Sequence, residues 1–299
     1  MGGGAWRKNL TMTRRIVLAL ADTHAGHRLA LLNPDTILIG VDDDGEVYEW
    51  TPEPTENQRR LWSIYQEHIA FAQELAGNDE IIVLHDGDLT NGDKYDSNGK
   101  GNIADTTRED QRQIAKMNLL PLVMLPQVRR ARIITGTPSH VPDNAEARIA
   151  HALAKAAGKD VRSCHHSRLD IDGVLFDVAH HGPGPGIRDW LRGNVARYYL
   201  RDRVYRDRRL GKVPARVYIR AHFHIWVPET MHDRWHGRQQ RFDLTVLPSY
   251  TGLTGYARQV TGSEPVIING LCCYEVVDGK LVDVHPFVDE FDTRQEEVL

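Results

Sequence analysis

The segment IVLALADTHAG at residues 16–26 runs six apolar residues directly into the polar group Asp22-Thr23-His24. A continuous apolar run of this length is typical of a strand buried on both faces, as in the parallel sheet of an α/β fold. In such folds ligands bind outside the carboxyl ends of the strands. Side chains two residues apart in an extended segment point the same way, so we expect Asp22 and His24 to reach one spot above the sheet.

The composition narrows the class of protein. The chain has 299 residues, of which 41% are hydrophobic and 26% charged, and its net charge of −4 argues against a general polyanion binder. No segment approaches the length of a membrane span, and the N-terminus has no apolar stretch of signal-peptide length. Three cysteines (Cys164, Cys272 and Cys273) form neither a disulfide framework nor a Cys-x-x-Cys knuckle. We therefore expect a cytoplasmic protein without membrane attachment.

Strand and helix patterns alternate along the chain and predict one α/β domain over residues 14–288. A flexible leader at 1–13 and an acidic tail at 289–299 flank this domain. The segment TILIGVDDDGEVYEW predicts a hairpin insertion near 36–50, with its turn at an Asp-Gly pair. A helix follows it, because Thr55 and Gln58 have the spacing of a capping box.

Four further apolar runs end in polar residues of metal-ligand type. The segments are HDGDLTN (85–91), TGTPSH (135–140), AHHG (179–182) and AHFH (221–224). A lone histidine at a strand end is more often a hydrogen-bonded surface residue, but five such strand ends in one α/β chain point to a shared site. Oxygen and imidazole ligands without thiolate favour manganese, iron, zinc or cobalt. About seven ligands are too many for one tetrahedral zinc and suit two metals that share a carboxylate.

The ordered set of motifs resembles the calcineurin-like metallophosphoesterase family. In this sequence the motifs are DTH (22–24), GDLTN (87–91), GTPSH (136–140), AHHG (179–182) and AHFH (221–224), and the resemblance covers residues 14–250. It implies a four-layer α/β/β/α sandwich of two mixed sheets flanked by helices. It also implies a centre of two divalent metal ions, manganese first, with iron, zinc or cobalt as alternatives.

The resemblance implies a role for each matched residue. It assigns the metal ligands as Asp22, His24 and His224 for the first ion, Asp88 as the bridge, and His222 with one of His180 and His181 for the second ion. His181 is preferred over His180 because glycine follows it directly.

The same resemblance implies the catalytic and substrate-contacting residues. Asp88 and His140 are the catalytic pair, with His140 near the leaving-group oxygen as general acid or electrostatic stabiliser. Asn91 and Thr137 are in substrate-binding positions. The family's asparagine ligand in the 136–140 turn is absent, so Thr137, Ser139, His140 or a water takes its place.

The predicted function is hydrolysis of phosphoester bonds, and a basic segment favours phosphodiester or nuclease-type substrates. Between Arg188 and Arg220 eleven Lys/Arg stand against three Asp/Glu. Within it a helix is predicted over 187–210, with an apolar face at Ile187, Trp190, Leu191, Val195 and Tyr198. A solvated amphipathic helix explains the same charges.

Two alternative functions stay open. One is a phosphomonoesterase acting on a nucleotide or a small phosphorylated metabolite. The other is a non-catalytic binding module with a degenerate second metal site. The expected partner is a phosphoester substrate, as nucleic acid or nucleotide, and the sequence does not determine the oligomeric state.

Overall fold

The computed structural model describes residues 12–93, 101–104, 106–184, 191–235, 237–252 and 265–297. Within these residues the protein is a mixed α/β fold with four α-helices and three sheets. The helices are α1 (Glu56–Ala76), α2 (Arg108–Met124), α3 (Ala145–Ala157) and α4 (Arg192–Arg209). The strands are β1 (Arg14–Leu20), β2 (Leu38–Val41), β3 (Val47–Trp50), β4 (Glu80–Asp86), β5 (Val128–Ile134), β6 (Asp160–Cys164), β7 (Ser167–Ile171), β8 (Val174–His181), β9 (Val217–Ala221), β10 (Val227–Trp235), β11 (Arg238–Val246), β12 (Val266–Val277) and β13 (Lys280–Asp292).

The first sheet has the order β13-β12-β1-β4-β5-β6. Strands β1, β4, β5 and β6 are parallel, and β12 pairs antiparallel with β1. The second sheet has the order β10-β11-β9-β8-β7, in which β8, β9 and β11 are parallel. Because the parallel strands carry their carboxyl ends to one edge, the polar segments that follow them are brought to the same side of the molecule.

The predicted hairpin insertion is confirmed, since β2 and β3 form a separate two-stranded sheet. The predicted capping box of α1 is also present: the Thr55 hydroxyl accepts the Gln58 N–H, and the Gln58 side chain accepts the Thr55 N–H. The three cysteines are free, as expected from their spacing.

Strand β1 is buried on both faces, as its apolar run predicts. Its residues Ile16, Leu18 and Leu20 belong to one apolar cluster with α1, α2 and α3. The alternate residues Val17 and Ala19 belong to a second cluster, which includes residues of β8 and β9 in the other sheet. A third cluster holds α4 against the remaining face of the second sheet.

The predicted apolar face of the basic helix is wrong. Val195 is 39% exposed and Tyr198 is 69% exposed, while Ala196, Leu200 and Val204 are buried in the third cluster. These three residues follow one another at intervals of four, which is the spacing of a helix face that packs on a sheet. Helix α4 has few large apolar residues. The spacing of those few therefore predicted the wrong face of the helix to be buried. The described helix begins at Arg192, and the predicted start at Ile187 and Trp190 lies outside the described residues.

The predicted acidic tail is wrong over its first four residues, because β13 continues to Asp292. Asp289 pairs with Asn269 of β12, and its carboxylate accepts a hydrogen bond from His68 Nε2 at 2.7 Å. Strand pairing with β12 keeps this acidic segment ordered despite its charge. Residues 1–11 of the predicted leader lie outside the described residues, and Thr13 donates its N–H to the carboxylate of Asp278.

None of the described helices has both the length and the apolar character that crossing a membrane requires.

Candidate metal centre

The candidate site lies where β1, β4, β5, β8 and β9 end. The loops after β1 and β4 are joined by backbone hydrogen bonds, in which Asp22 donates its N–H to Gly87 O and His24 donates to Asp88 O. A side chain adds a bond to the second sheet, since Asp22 Oδ2 accepts the N–H of His222 at 3.1 Å. These bonds hold loops from two sheets in one fixed arrangement.

The backbone around the site is left-handed at several side-chain positions. Nine described non-glycine residues have positive φ, and five of them are predicted ligands: Asp22, His24, Asp88, His222 and His224. Such a conformation is uncommon outside glycine and costs on the order of 1–3 kcal/mol per residue. The expectation that Asp22 and His24 converge because they lie in an extended segment is therefore wrong. Strand β1 ends at Leu20, and left-handed turns with φ of 51° and 40° aim the two side chains instead.

The first ligand group consists of Asp22, His24 and His224. Asp22 Oδ1 lies 3.6 Å from His24 Nε2 and 3.4 Å from His224 Nε2, and the two imidazole nitrogens are 3.1 Å apart. Nitrogen and oxygen atoms that share a tetrahedral metal ion at normal bond lengths are separated by about 3.4 Å. The three atoms thus have the mutual spacing of ligands to one ion.

The second ligand group consists of Asp88, His180 and His222. Asp88 Oδ2 lies 3.0 Å from His180 Nε2. Asp88 also forms a group with His24 and His140, so this carboxylate has candidate ligands on both of its sides. That position is the one required of a carboxylate shared by two metals.

The geometry favours His180 over His181 as a ligand, which reverses the expected preference. His180 is buried, and its Nδ1–H donates to Asp86 O at 2.6 Å, which directs Nε2 toward Asp88. His181 is exposed and outside the three candidate groups, although its Nε2 lies 3.4 Å from Thr137 Oγ1. The following glycine is not decisive: Gly182 packs against Arg220, where a Cβ would lie 2.6 Å from the arginine Cβ.

Thr137 is one of the residues that could replace the asparagine of the resembled family, and it lies beside the second ligand group. Its hydroxyl lies 3.1 Å from Asp88 Oδ2 and 3.2 Å from His222 Nδ1. The preceding residue has to be glycine, because a Cβ on Gly136 would stand 2.2 Å from both the backbone nitrogen and Oδ1 of Asp88. The loop after β5 therefore approaches Asp88 closely enough to add a hydroxyl oxygen to the second group.

His140 lies beside the first group. Its ring centroid is 4.7 Å from that of His24. Its Nδ1 lies 2.7 Å from the carbonyl oxygen of Asn91, an acceptor that fixes the proton on Nδ1. Proton transfer by this ring therefore falls to Nε2.

The Asn91 side chain makes a hydrogen bond within the protein, and its predicted substrate contact stays a prediction. Its amide donates to Asn102 Oδ1 at 2.7 Å, and the residue is buried. The structure thus places Asn91 as the residue whose carbonyl orients His140.

Charge in the site is concentrated on two carboxylates and one imidazole. Burial would raise the pKa of Asp22, but His224 and His180 beside it bring this pKa well below its ordinary value. The pKa of Asp88 is likewise lowered, against the effect of burial, by its contact with His180. Burial lowers the pKa of His180, but Asp22 and Asp88 outweigh it and raise the pKa to about 10.

Two other imidazoles of the site, His24 and His222, are neutral. Burial lowers the pKa of both His24 and His222 to about 4. These neutral imidazoles and the ionised carboxylates have the protonation states that metal ions require of their ligands, whereas His180 has to release its proton when it binds an ion.

The buried polar atoms test whether a metal ion fits here. Asp22 is fully buried, yet among the described residues its Oδ1 has no hydrogen-bond partner. This oxygen lies within 4 Å of the Nε2 atoms of His24, His180 and His224. A buried carboxylate oxygen surrounded by imidazole nitrogens is costly unless a cation satisfies them together. The donor set therefore fits divalent metal ions.

Two buried acids near the site were missed by the sequence interpretation. Asp86 is fully buried, and burial raises its pKa to about 7. Glu146 lies in the first turn of α3, accepts the N–H of Gly136 at 3.2 Å, and has its pKa raised by burial to about 8. An acid in the first turn of a helix is common, so Glu146 gave no signal in the sequence.

Comparisons with known proteins do not identify this chain. No family model matches it, and no curated protein matches it. Among solved structures, the solution NMR structure of the Thermotoga maritima protein TM1076 shares 14% identity, over 54% of this chain and 80% of its own, with a TM-score of 0.25. A likeness at that level carries no argument, so any function has to be inferred from the site.

Proposed function

We propose that this protein is a metal-dependent hydrolase of phosphoester bonds, of the calcineurin-like metallophosphoesterase type that its motifs resemble. The observation that carries the proposal is the convergence, at Asp88, of candidate ligands from five strand ends. The order of the apolar clusters supports the corresponding four-layer sandwich. One cluster lies between α1–α3 and the first sheet, one between the two sheets, and one between the second sheet and α4.

Two divalent ions fit the donor groups. Asp22, His24 and His224 would hold one ion, and His180, His222 and the Thr137 hydroxyl would hold the other, with Asp88 between them. We favour manganese because the set combines carboxylate, imidazole and hydroxyl donors without a thiolate. When bound, such a pair supplies charge stabilisation to the phosphoryl oxygens and lowers the pKa of water.

The chain's own residues supply orientation and proton transfer. Asn91 holds the Nδ1–H of His140 through its backbone carbonyl. With a second proton on Nε2, the His140 ring would deliver that proton to the leaving-group oxygen and keep its Nδ1–H. The left-handed turns at Asp22, Asp88 and His222 keep the carboxylates and imidazoles in place before substrate arrives. Pre-organisation of this kind is what phosphoryl transfer needs, because its transition state is stabilised mainly by charge and geometry.

We favour a phosphodiester over a monoester substrate. Helix α4 presents exposed arginines, among them Arg197, Arg201, Arg206 and Arg209. Several exposed guanidinium groups on one helix suit a substrate that carries more than one phosphate. The non-catalytic alternative is disfavoured by Thr137, because its hydroxyl replaces the missing amide oxygen at ligand spacing.

Metal reconstitution tests this proposal. The protein is stripped with chelator, Mn(II) is restored, and hydrolysis of bis(p-nitrophenyl) phosphate is compared with that of p-nitrophenyl phosphate. We expect metal-dependent cleavage with preference for the diester, abolished in Asp88→Asn. Asp172→Asn is the matched control, because Asp172 has nearly the same backbone (φ of 50° against 52°) and precedes β8 at the end away from the site.

Each outcome decides between the functions. Preference for the monoester supports the phosphomonoesterase instead. Absence of both activities, with fewer than two Mn(II) bound per chain, contradicts the proposal and favours the binding module.

A further inference from the structure

A polar cavity lies away from the metal centre. It has a volume of about 360 Å³ and is lined by residues of the β7–β8 hairpin, the end of α4 and Tyr218 of β9. None of the candidate metal ligands lines it. Tyr218 belongs to the apolar cluster beneath α4, whereas its neighbours Val217 and Ile219 belong to the cluster between the sheets. The cavity thus opens on the outer face of the second sheet.

The cavity carries an excess of positive charge. Four of its lining residues are cations, Arg168, Arg203, Arg206 and Lys212, against two carboxylates, Asp177 and Asp207. The chain as a whole has a net charge of −4, so this excess is local.

Asp177 does not neutralise these cations. The Arg220 Nη2–H donates to Asp177 Oδ1 at 2.5 Å, and His166 Nε2 lies 2.8 Å from the same oxygen. Asp207 lies 3.8 Å from Arg168, a distance beyond a hydrogen bond. For the side chains of Arg206 and Lys212, the described part of the chain supplies neither a hydrogen bond nor an ion pair. Both residues are exposed, so their charges are solvated and available to pair with an anionic ligand.

Tyr218 supplies a second, independent indication of a ligand. Its side chain lines the cavity and the residue is 1% exposed, yet no described residue hydrogen-bonds to its hydroxyl. Burial, with Asp207 and Asp177 nearby, raises the pKa of Tyr218, so its O–H is a donor at neutral pH. A buried hydroxyl without an acceptor costs on the order of 1–3 kcal/mol. A ligand that accepts hydrogen bonds removes this cost.

We propose that the cavity is an accessory site for a phosphate group, separate from the metal centre. Arg206 and Lys212 neutralise the anion, and the Tyr218 hydroxyl donates a hydrogen bond to one of its oxygens. Guanidinium groups match the tetrahedral oxygens of phosphate, and the volume is at the lower end of small-ligand sites. Free phosphate and a phosphate of a nucleic-acid backbone offer the same chemistry. The inference does not rest on the proposed hydrolase activity.

The experiment measures phosphate binding with the metal centre disabled. Isothermal titration calorimetry follows inorganic phosphate binding to the full chain in chelator, for the wild type and for Asp88→Asn. We expect one phosphate per chain in both proteins. The double variant Arg206→Ala/Lys212→Ala weakens binding about tenfold or more. Tyr218→Phe weakens it several-fold, as loss of one neutral hydrogen bond does.

The control variant removes one arginine and one lysine from a helix outside the cavity. Arg148→Ala/Lys155→Ala changes two exposed cations of α3 that do not line the cavity, and it leaves inorganic phosphate binding unchanged. Thermal unfolding of each variant checks that it is folded. If the two double variants lose phosphate binding equally, the proposal is overturned. Binding then depends on the overall charge of the protein and not on the cavity.

A second titration identifies the source of the phosphate. A thymidine tetranucleotide is titrated into the same proteins under the same conditions. If it binds, inorganic phosphate does not, and the cavity variant alone loses the binding, then the site takes a backbone phosphate. Failure of both probes to bind the metal-free wild type overturns the proposal, whatever the hydrolase assay shows.

Discussion

Thr137 contacts Asp88 twice: its N–H donates to Oδ1 at 2.5 Å, and its hydroxyl lies 3.1 Å from Oδ2. The backbone contact fixes the carboxylate, and the hydroxyl stands among the candidate ligands of the second group. In the proposed function, this hydroxyl would supply the donor that the missing asparagine supplies in the resembled family. A neutral hydroxyl is a weaker donor than an amide carbonyl, so the second ion is expected to be the more easily removed.

The contribution of the Thr137 hydroxyl is tested by truncation. We expect Thr137→Ala to weaken binding of the second Mn(II) about 10- to 100-fold, in the range seen when a metal site loses a supporting group. Thr137→Ser keeps the hydroxyl and retains both ions. Mn(II) titration followed by electron paramagnetic resonance measures the two affinities. If Thr137→Ala binds the second Mn(II) as tightly as the wild type, a donor other than Thr137 completes the ligands of that ion.

The two adjacent histidines are distinguished by the same titration. His180→Ala is expected to lose the second ion, because this buried ring lies 3.0 Å from Asp88 and donates to Asp86 O. His181→Ala is expected to keep both ions, because the ring is exposed and lies outside the ligand groups. The reverse result reinstates His181 as the ligand.

The proton-transfer role of His140 is tested by the choice of leaving group. His140→Gln is expected to lower kcat for a dinucleotide about 10²- to 10⁴-fold, the usual range for loss of a general acid. The loss with bis(p-nitrophenyl) phosphate is smaller, because p-nitrophenolate leaves without protonation. Bound Mn(II) stays at the wild-type level, as does the activity of the control His151→Gln, which changes an exposed histidine of α3. Equal losses for both substrates indicate a role in binding instead.

The buried acid Glu146 is expected to make the free energy of unfolding depend on pH. Its carboxyl has an ordinary pKa of 4.5, and burial raises the pKa to about 8 in the folded protein. Between these pH values the folded state holds a proton that the unfolded chain has released. The contribution of Glu146 to the free energy of unfolding therefore falls as the pH increases through this window.

The variant Glu146→Gln removes this titration. At pH 8.5 we expect it to exceed the wild type in free energy of unfolding by about 1–3 kcal/mol, with the difference vanishing near pH 5. Guanidinium denaturation in chelator measures both values. Glu109→Gln changes an exposed acid of α2 and serves as the control. A difference that is independent of pH contradicts the assignment.

Much of the fold could be predicted from local patterns. The apolar run of β1, the capping box of α1 and the hairpin at 36–50 depend on residues close together in the chain, and each is present. The phase of α4 and the extent of β13 could not be predicted. Which face of α4 is buried depends on the sheet beneath it, and the acidic end of β13 is ordered by pairing with β12.

The sequence by itself determined which residue types end the strands, and hence the candidate set from Asp22 to His224. Only the tertiary structure decided how they converge: left-handed turns aim the side chains, and packing buries His180 while leaving His181 exposed. It alone brought Glu146 to Gly136 and placed Tyr218, with its unpaired hydroxyl, in the lining of a basic cavity. The physical reason is that the donor atom a side chain can offer to a metal depends only on the identity of that residue. Burial, direction and charge environment are instead set by segments that meet only when the chain folds.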